Sequence, residues 1–163
     1  MQIHVSSAEA MRTLGERIAQ QLHAGDTLVL TGPLGAGKTT FVQGIGTGLG
    51  VEGVVTSPTF IVARQHKAGS RGISLMHLDA YRLQSADDLA DLDIDDRTPH
   101  VTVVEWGGPF IRGISDSWLE VTIGRDVVGD EDSPENGIRV VTLEPHGPLW
   151  DNRELEVSHD LGD

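Results

Sequence analysis

Apolar side chains in the first third of the chain recur at the three- and four-residue spacing of an α-helix. The capping box Ser6-x-x-Glu9 opens one such stretch and predicts an amphipathic helix over residues 7–23, with its apolar face at Met11, Leu14, Ile18 and Leu22. A second helix is predicted after residue 37, with its apolar face at Phe41, Val42, Ile45 and Leu49. Glycines in this second stretch each cost up to about 1 kcal/mol relative to alanine, so we expect packing to hold the helix.

Shorter apolar runs between turn residues predict strands. The predicted strands are residues 28–30, 60–64, 73–79, 101–105, 118–123 and 138–143. The turn Gly69–Gly72 joins the second and third of them and predicts a hairpin. The β-branched run that ends at Glu105 is typical of a buried strand.

The remaining segments are polar. Ser85-x-x-Asp88 predicts the start of a short acidic helix that runs to about Leu92. Residues 124–137 are acidic and predict an exposed connection. We expect one domain over residues 1–150, followed by a polar tail over 151–163 that frays.

Charge narrows the possible functions. The chain of 163 residues has a formal net charge of −13 and only two lysines, Lys38 and Lys67. Such a surface repels nucleic acid, so a protein of this kind in an RNA pathway needs a partner to hold the RNA. With no cysteine, no basic and apolar leader and no long apolar stretch, the sequence predicts a cytoplasmic protein that does not enter membranes.

The residues from Gly32 to Thr39 read Gly-Pro-Leu-Gly-Ala-Gly-Lys-Thr and match the phosphate loop G-x-x-x-x-G-K-[ST] between a strand and a helix. Gly32, Gly35 and Gly37 allow a tight turn whose N–H groups point at phosphate oxygens. We expect Lys38 to reach the β- and γ-phosphates and the Thr39 hydroxyl to bind Mg²⁺. The alternative is a glycine-rich turn with an incidental lysine.

Two carboxylates follow apolar strands and are candidates for the rest of the site. Asp79 and Glu105 each end a predicted strand, and strand carboxyl ends in an open α/β sheet converge on the ligand crevice. We assign Glu105 to Mg²⁺ and Asp79 to orienting the attacking water, and exchanged roles remain open. His77 is expected to pack beside the site, and Trp106 is expected to be a core ring, with a stacking surface as the alternative.

A further segment and a further arginine are candidates near the phosphates. Residues 56–60, Thr-Ser-Pro-Thr-Phe, are interpreted either as a γ-phosphate sensor or as an ordinary proline turn. Arg82 is a candidate to neutralise phosphate charge, although a lone arginine is more often part of a surface ion pair. Ser6 or Ser7 and Arg139 are candidates to contact the base.

Four motifs in order, Gly32–Thr40, Ser57–Phe60, His77–Leu83 and Val103–Trp106, resemble the bacterial TsaE family. The similarity covers about residues 1–125. It implies an α/β P-loop NTPase fold, with a mixed, mostly parallel sheet flanked by helices and an antiparallel C-terminal strand pair.

The resemblance also implies an activity. A TsaE protein is expected to bind ATP and Mg²⁺, with Gly35, Ala36, Gly37, Lys38, Thr39 and Thr40 on the phosphates. Thr39 and Glu105 would hold Mg²⁺, and Asp79 would aid hydrolysis. Its partners would be TsaD-like and TsaB-like subunits that hold tRNA and modify adenosine 37.

Two other functions remain alternatives. A small-molecule kinase usually closes an arginine-bearing lid over the transferred phosphoryl group, and the arginines here are scattered. A nucleotide-dependent interaction module with negligible hydrolysis also fits a phosphate loop, because such sites often wait for a partner to complete them.

Overall fold

A computed structural model describes residues 1–33, 35–56, 63–80, 98–108, 111–125 and 137–161. Within these ranges the chain forms two helices, α1 (Ala8–Ala19) and α2 (Lys38–Leu49). The strands are β1 (Gln2–Val5), β2 (Thr27–Thr31), β3 (Ala63–His66), β4 (Ser74–Asp79), β5 (His100–Glu105), β6 (Trp118–Arg125), β7 (Arg139–His146) and β8 (Asp160–Leu161). Neither helix has the length and hydropathy that a membrane span requires.

The described strands form one mixed sheet in the order β3-β4-β5-β2-β6-β7-β1-β8. Its centre is parallel, because β4 pairs with β5 and β2 pairs with both β5 and β6 in that sense. The hairpin β3–β4 and the pair β6–β7 are antiparallel. The predicted α/β class, mixed sheet, hairpin and antiparallel C-terminal pair are therefore confirmed.

Both helices pack on one face of this sheet. Their buried apolar residues share a cluster with alternate residues of the strands, such as Leu28, Leu30 and Val103. The two helices approach closely at glycines of α2: a Cβ on Gly44 would collide with the Arg12 carbonyl of α1, and one on Gly48 with the Glu16 carbonyl. The glycines that weaken α2 as an isolated helix thus allow the contact that stabilises it.

Helix α1 differs from its prediction at both ends. The N-cap is Ser7, whose side chain accepts a hydrogen bond from the Ala10 N–H at 3.0 Å, so the predicted Ser6 capping box is off by one residue. The helix ends at Ala19 instead of residue 23. Strand β1 was not predicted, because it is short and its outward positions are polar.

The expectation that the chain frays after residue 150 is wrong for residues 151–161. Arg153 forms an ion pair with the buried Asp26, and the Ser6 hydroxyl donates to the Leu161 carbonyl. Strand β8 pairs in parallel with β1. These contacts are tertiary, so the polar composition of the segment did not indicate them. The division into a domain over 1–150 and a separate tail stays a prediction.

Several predictions lie outside the described residues. They concern most of the 56–60 segment, Arg82, the acidic helix after Ser85 and most of the 124–137 connection.

Candidate functional site

The predicted phosphate loop joins β2 to α2 at the carboxyl end of the central strand. Gly35 and Gly37 have φ values of 77° and 105°, in the left-handed region that favours glycine. Gly37 is the N-cap of α2 and contributes no side-chain cap, and the first turn of the helix carries no acidic residue. Helix N–H groups at such a terminus have no intrahelical acceptor, so this end of α2 favours an anion.

Lys38 is buried within the loop that precedes it. Its Nζ atom donates to the Gly32 carbonyl at 2.6 Å and to the Pro33 carbonyl at 3.1 Å. Burial lowers the pKa of Lys38, and the charges of Glu105 and Asp79 oppose that shift. Both predicted acids therefore act electrostatically on the predicted phosphate-binding lysine.

Asp79 and Glu105 end neighbouring parallel strands. They are register partners on β4 and β5, and Glu105 is in turn the register partner of Leu30 on β2. The three strand ends and the loop after β2 therefore share one edge of the sheet. The structure thus brings together the two acids and the lysine that the sequence singled out.

Glu105 is held by a second buried residue. The Nε2 atom of His77 lies 3.0 Å from Oε2 of Glu105, and the His77 side chain has 0% exposure. Asp79 is only half-buried, two residues further along β4. The expected place of His77 beside the site is confirmed, and its contact with Glu105 is an addition that strand alternation does not specify.

Trp106 is not the core ring that the sequence predicts. Its side chain is 38% exposed, and the Lys38 ammonium lies 4.6 Å from the centre of its ring, within range of a cation–π contact. Its backbone has a φ of 60°, and its N–H donates to the Leu30 carbonyl at 3.0 Å. A bulky residue at positive φ is uncommon, so the backbone directly after Glu105 is strained. In this conformation the Trp106 ring lies next to the Lys38 ammonium.

A cavity of about 190 Å³ lies beside the loop. It is bounded by the junction of β1 and α1, by the start of α2 and by the beginning of β7, and its lining includes Ser6, Ser7, Gly35, Thr40 and Arg139. The residues that the sequence offered as base contacts therefore do lie together, next to the loop. Topology explains this, since β1 and β7 are adjacent although far apart in sequence.

The predicted loop residues occupy distinct positions around this edge. Gly32 and Ala36 are buried, Gly35 is exposed, and Gly37, Thr39 and Thr40 are half-buried. Thr39 and Thr40 lie in the first turn of α2, which has no side-chain cap. The predicted loop residues, Asp79 and Glu105 therefore lie at or beside one edge of the sheet.

Comparison with known proteins identifies relatives. The family model "Threonylcarbamoyl adenosine biosynthesis protein TsaE" matches residues 5–131. The tRNA threonylcarbamoyladenosine biosynthesis protein TsaE of Streptomyces coelicolor is 44% identical over 149 residues, covering 90% of this chain and 98% of that one. The protein of the same name from Bacillus subtilis is 34% identical and covers 76% of each chain. Among solved structures, Bacillus subtilis YdiB matches with a TM-score of 0.68 at 26% identity, covering 90% of this chain and 86% of that one.

Proposed function

The chain belongs to the TsaE family, and from that premise we propose that it is a Mg²⁺-dependent ATPase with a P-loop NTPase fold. Its ATP turnover supports the protein complex that makes N6-threonylcarbamoyladenosine at position 37 of tRNAs reading codons that begin with A. One observation carries the proposal: the glycine loop, a buried lysine and two strand-end carboxylates share one edge of the sheet.

The loop fits a triphosphate. Two glycines at positive φ turn the chain into α2, so the N–H groups of Lys38 and Thr39 lie at the N-terminus of a helix without a side-chain cap. The Lys38 ammonium donates to loop carbonyls in the free protein. Phosphate oxygens are stronger acceptors for an ammonium group, so we expect ATP to draw Lys38 away from those carbonyls.

The donor set also fits magnesium. No group of three or more His, Asp or Glu side chains among the described residues is arranged to hold a metal ion. Mg²⁺ does not need one, since it keeps several waters and takes one or two protein oxygens together with substrate phosphates. Thr39 in the first turn of α2 and Glu105 at the end of β5 are the residues that would hold it.

The chemistry assigned to these side chains follows from their charge and position. Lys38 would neutralise charge that develops on the phosphates, and Mg²⁺ held by Thr39 and Glu105 would supply further positive charge there. Asp79 is less buried than Glu105 and accepts a hydrogen bond from the attacking water, which orients it. The reverse assignment of the two acids stays an alternative.

The cavity beside the loop suits the nucleoside. Its lining joins two serine hydroxyls at the start of α1 to the Arg139 guanidinium, and it meets the loop at Gly35 and Thr40. A base and ribose placed there would lie next to phosphates held by the loop. Ser6, Ser7 and Arg139 are therefore the proposed contacts for the base and ribose.

The strongly acidic composition supports a division of labour with partners. A net charge of −13 opposes direct binding to RNA. We therefore assign tRNA binding to TsaD-like and TsaB-like partner subunits in the cytoplasm, with this chain supplying ATP turnover.

Phosphate release with and without a TsaD–TsaB complex and tRNA tests the proposal. We expect Mg²⁺-dependent ATP hydrolysis that the complex stimulates. Phosphoryl transfer to a metabolite would instead establish a kinase. Nucleotide binding that changes partner affinity without hydrolysis would establish an interaction module.

A further inference from the structure

One buried contact of the site has no part in the proposed function. His77 lies in β4 with no exposed surface, and its Nε2 atom lies 3.0 Å from Oε2 of Glu105. Glu105 is itself buried at 5% exposure. The two residues are on adjacent parallel strands, where His77 is the register partner of Val103, two positions before Glu105.

The chemistry of the contact defines which atom carries the proton. An ionised carboxylate only accepts hydrogen bonds, so the ring nitrogen facing it must carry hydrogen. His77 therefore donates through Nε2–H. Its other ring nitrogen, Nδ1, is buried and has no hydrogen-bond partner among the described residues. The carboxylate is thus the partner that sets the tautomer and the orientation of this ring.

Packing alone does not explain this pair. Its neighbours on the same face of the sheet, Leu75 and Val103, are fully buried and apolar. Replacing a buried polar pair by apolar residues of similar volume is often neutral or stabilising, so a stable core does not require a histidine here. The contact does restrict the orientation of the Glu105 carboxylate, because Oε2 accepts the hydrogen bond from His77 and Oε1 is left to accept another.

We propose that His77 is a positioning residue that donates a hydrogen bond to Glu105 and holds its carboxylate in the orientation that the Mg²⁺–nucleotide site uses. The proposal rests on the proposed function. Partners of this kind fix the orientation of a metal-binding side chain, and their loss typically lowers metal affinity by about 10- to 100-fold.

The contact itself can be tested in the free protein. Long-range ¹H–¹⁵N NMR of the full chain should show a hydrogen on Nε2 of the His77 ring. The Glu105→Gln variant should perturb that ring signal, while the signal of His100 on the far end of β5 should stay in place. A ring that carries its hydrogen on Nδ1 would overturn the proposal whatever the activity of the protein.

The positioning role requires a measurement of Mg²⁺ dependence. A fluorescent ADP analogue is titrated onto each variant in EDTA, and Mg²⁺ is then titrated onto the complex. For His77→Leu we expect analogue affinity in EDTA within about twofold of wild type, and a Mg²⁺ half-saturation raised by about 10-fold. Glu105→Gln should show the same pattern, and the double variant should lose no more than Glu105→Gln alone.

Two amide variants of His77 test whether the position of the hydrogen-bond donor matters, and not only its polarity. A glutamine amide reaches about as far as Nε2, whereas an asparagine amide reaches only about as far as Nδ1. His77→Gln should therefore restore most of the Mg²⁺ response and His77→Asn should not. His66→Leu is the control for a buried histidine in the neighbouring strand: His66 lies on β3 opposite Leu75, and its replacement should leave the response unchanged.

The outcomes distinguish this proposal from the proposed function. A wild-type protein without Mg²⁺-dependent nucleotide binding contradicts the proposed function, and this role fails with it. A normal wild type combined with an unchanged Mg²⁺ response in His77→Leu overturns the positioning role alone. Full additivity of His77→Leu and Glu105→Gln also overturns it, because the two residues would then act independently.

Discussion

The two ends of strand β2 both bury charge, but they treat it differently. At the amino end, the Asp26 carboxylate accepts from both terminal nitrogens of Arg153, at 2.7 and 2.9 Å, and from the His23 N–H at 2.7 Å. The Arg153 guanidinium also lies 4.0 Å from the centre of the Trp150 ring. The Asp26 carboxylate and the Arg153 guanidinium therefore form a bidentate ion pair, which contributes to stability.

At the carboxyl end of β2, the buried cation is Lys38, beside the glycine loop. The Lys38 ammonium donates to two loop carbonyls and lies 4.6 Å from the centre of the Trp106 ring, and burial lowers its pKa. The backbone is strained at Trp106 and requires glycine at two loop positions. Burial of charge is common to both ends, whereas a lysine whose pKa is lowered by burial and a strained backbone occur together at the carboxyl end. That combination, more than burial, marks a functional site.

The largest expected effect is the loss of stability when the Asp26–Arg153 ion pair is removed. Asp26→Ala leaves Arg153 without its carboxylate and should lower the free energy of unfolding by about 3–5 kcal/mol, the usual cost of breaking a buried ion pair. Urea denaturation measures it, with Glu154→Ala as an exposed control expected within about 0.5 kcal/mol of wild type. Unchanged stability in Asp26→Ala would remove the contrast between the two ends.

Removing the lysine at the other end should affect binding instead of folding. Lys38→Met should weaken ATP by roughly 10- to 100-fold, because a hydrogen bond to a charged group contributes about 1.5–3 kcal/mol. Calorimetric titration measures the affinity and thermal unfolding the stability, which should change little. Lys67→Met, at an exposed position, is the matched control. Wild-type affinity in Lys38→Met would contradict the site.

A smaller effect is expected on the pH dependence of stability, through His66 in β3, the outermost of the described strands. Burial lowers the pKa of His66, and the nearby His77 and Arg64 lower it further. As pH falls below about 6.5, the unfolded chain binds a proton that the folded chain does not yet bind, so stability is lost on the acid side. His66→Leu should therefore lose less stability than wild type between pH 7.5 and 5. Equal losses in urea midpoints would show that His66 does not contribute.

Local patterns predicted much of the fold because they depend on neighbours in sequence. The apolar spacing of α1 and α2, the hairpin turn at 69–72 and the β-branched run of β5 were all predicted and are observed. Strand β1 and the packing of residues 151–161 were missed. Both depend on pairing with segments more than 100 residues away, and neither a four-residue strand nor a polar segment has a local pattern long enough to indicate that pairing.

The candidate site likewise contains residues that the sequence predicted and residues whose positions it could not predict. The glycine spacing, Lys38 and Thr39 could be predicted from sequence, because a tight turn into a helix needs those residue types in that order. The position of Trp106 could not be predicted, because its outward turn depends on the N–H bond to Leu30 in the neighbouring strand. The contact of His77 with Glu105 likewise depends on strand register.

The sequence by itself determined the residue types of this protein's site, its helices and its central strands, since backbone propensity and short-range spacing act along the chain. Only the tertiary structure decided which of these residues meet. The sheet order places β4, β5 and β2 side by side, and that order sets Lys38, Asp79 and Glu105 at one edge and Asp26 with Arg153 at the other. The physical reason is that strand pairing and burial join segments through space, whatever their separation along the chain.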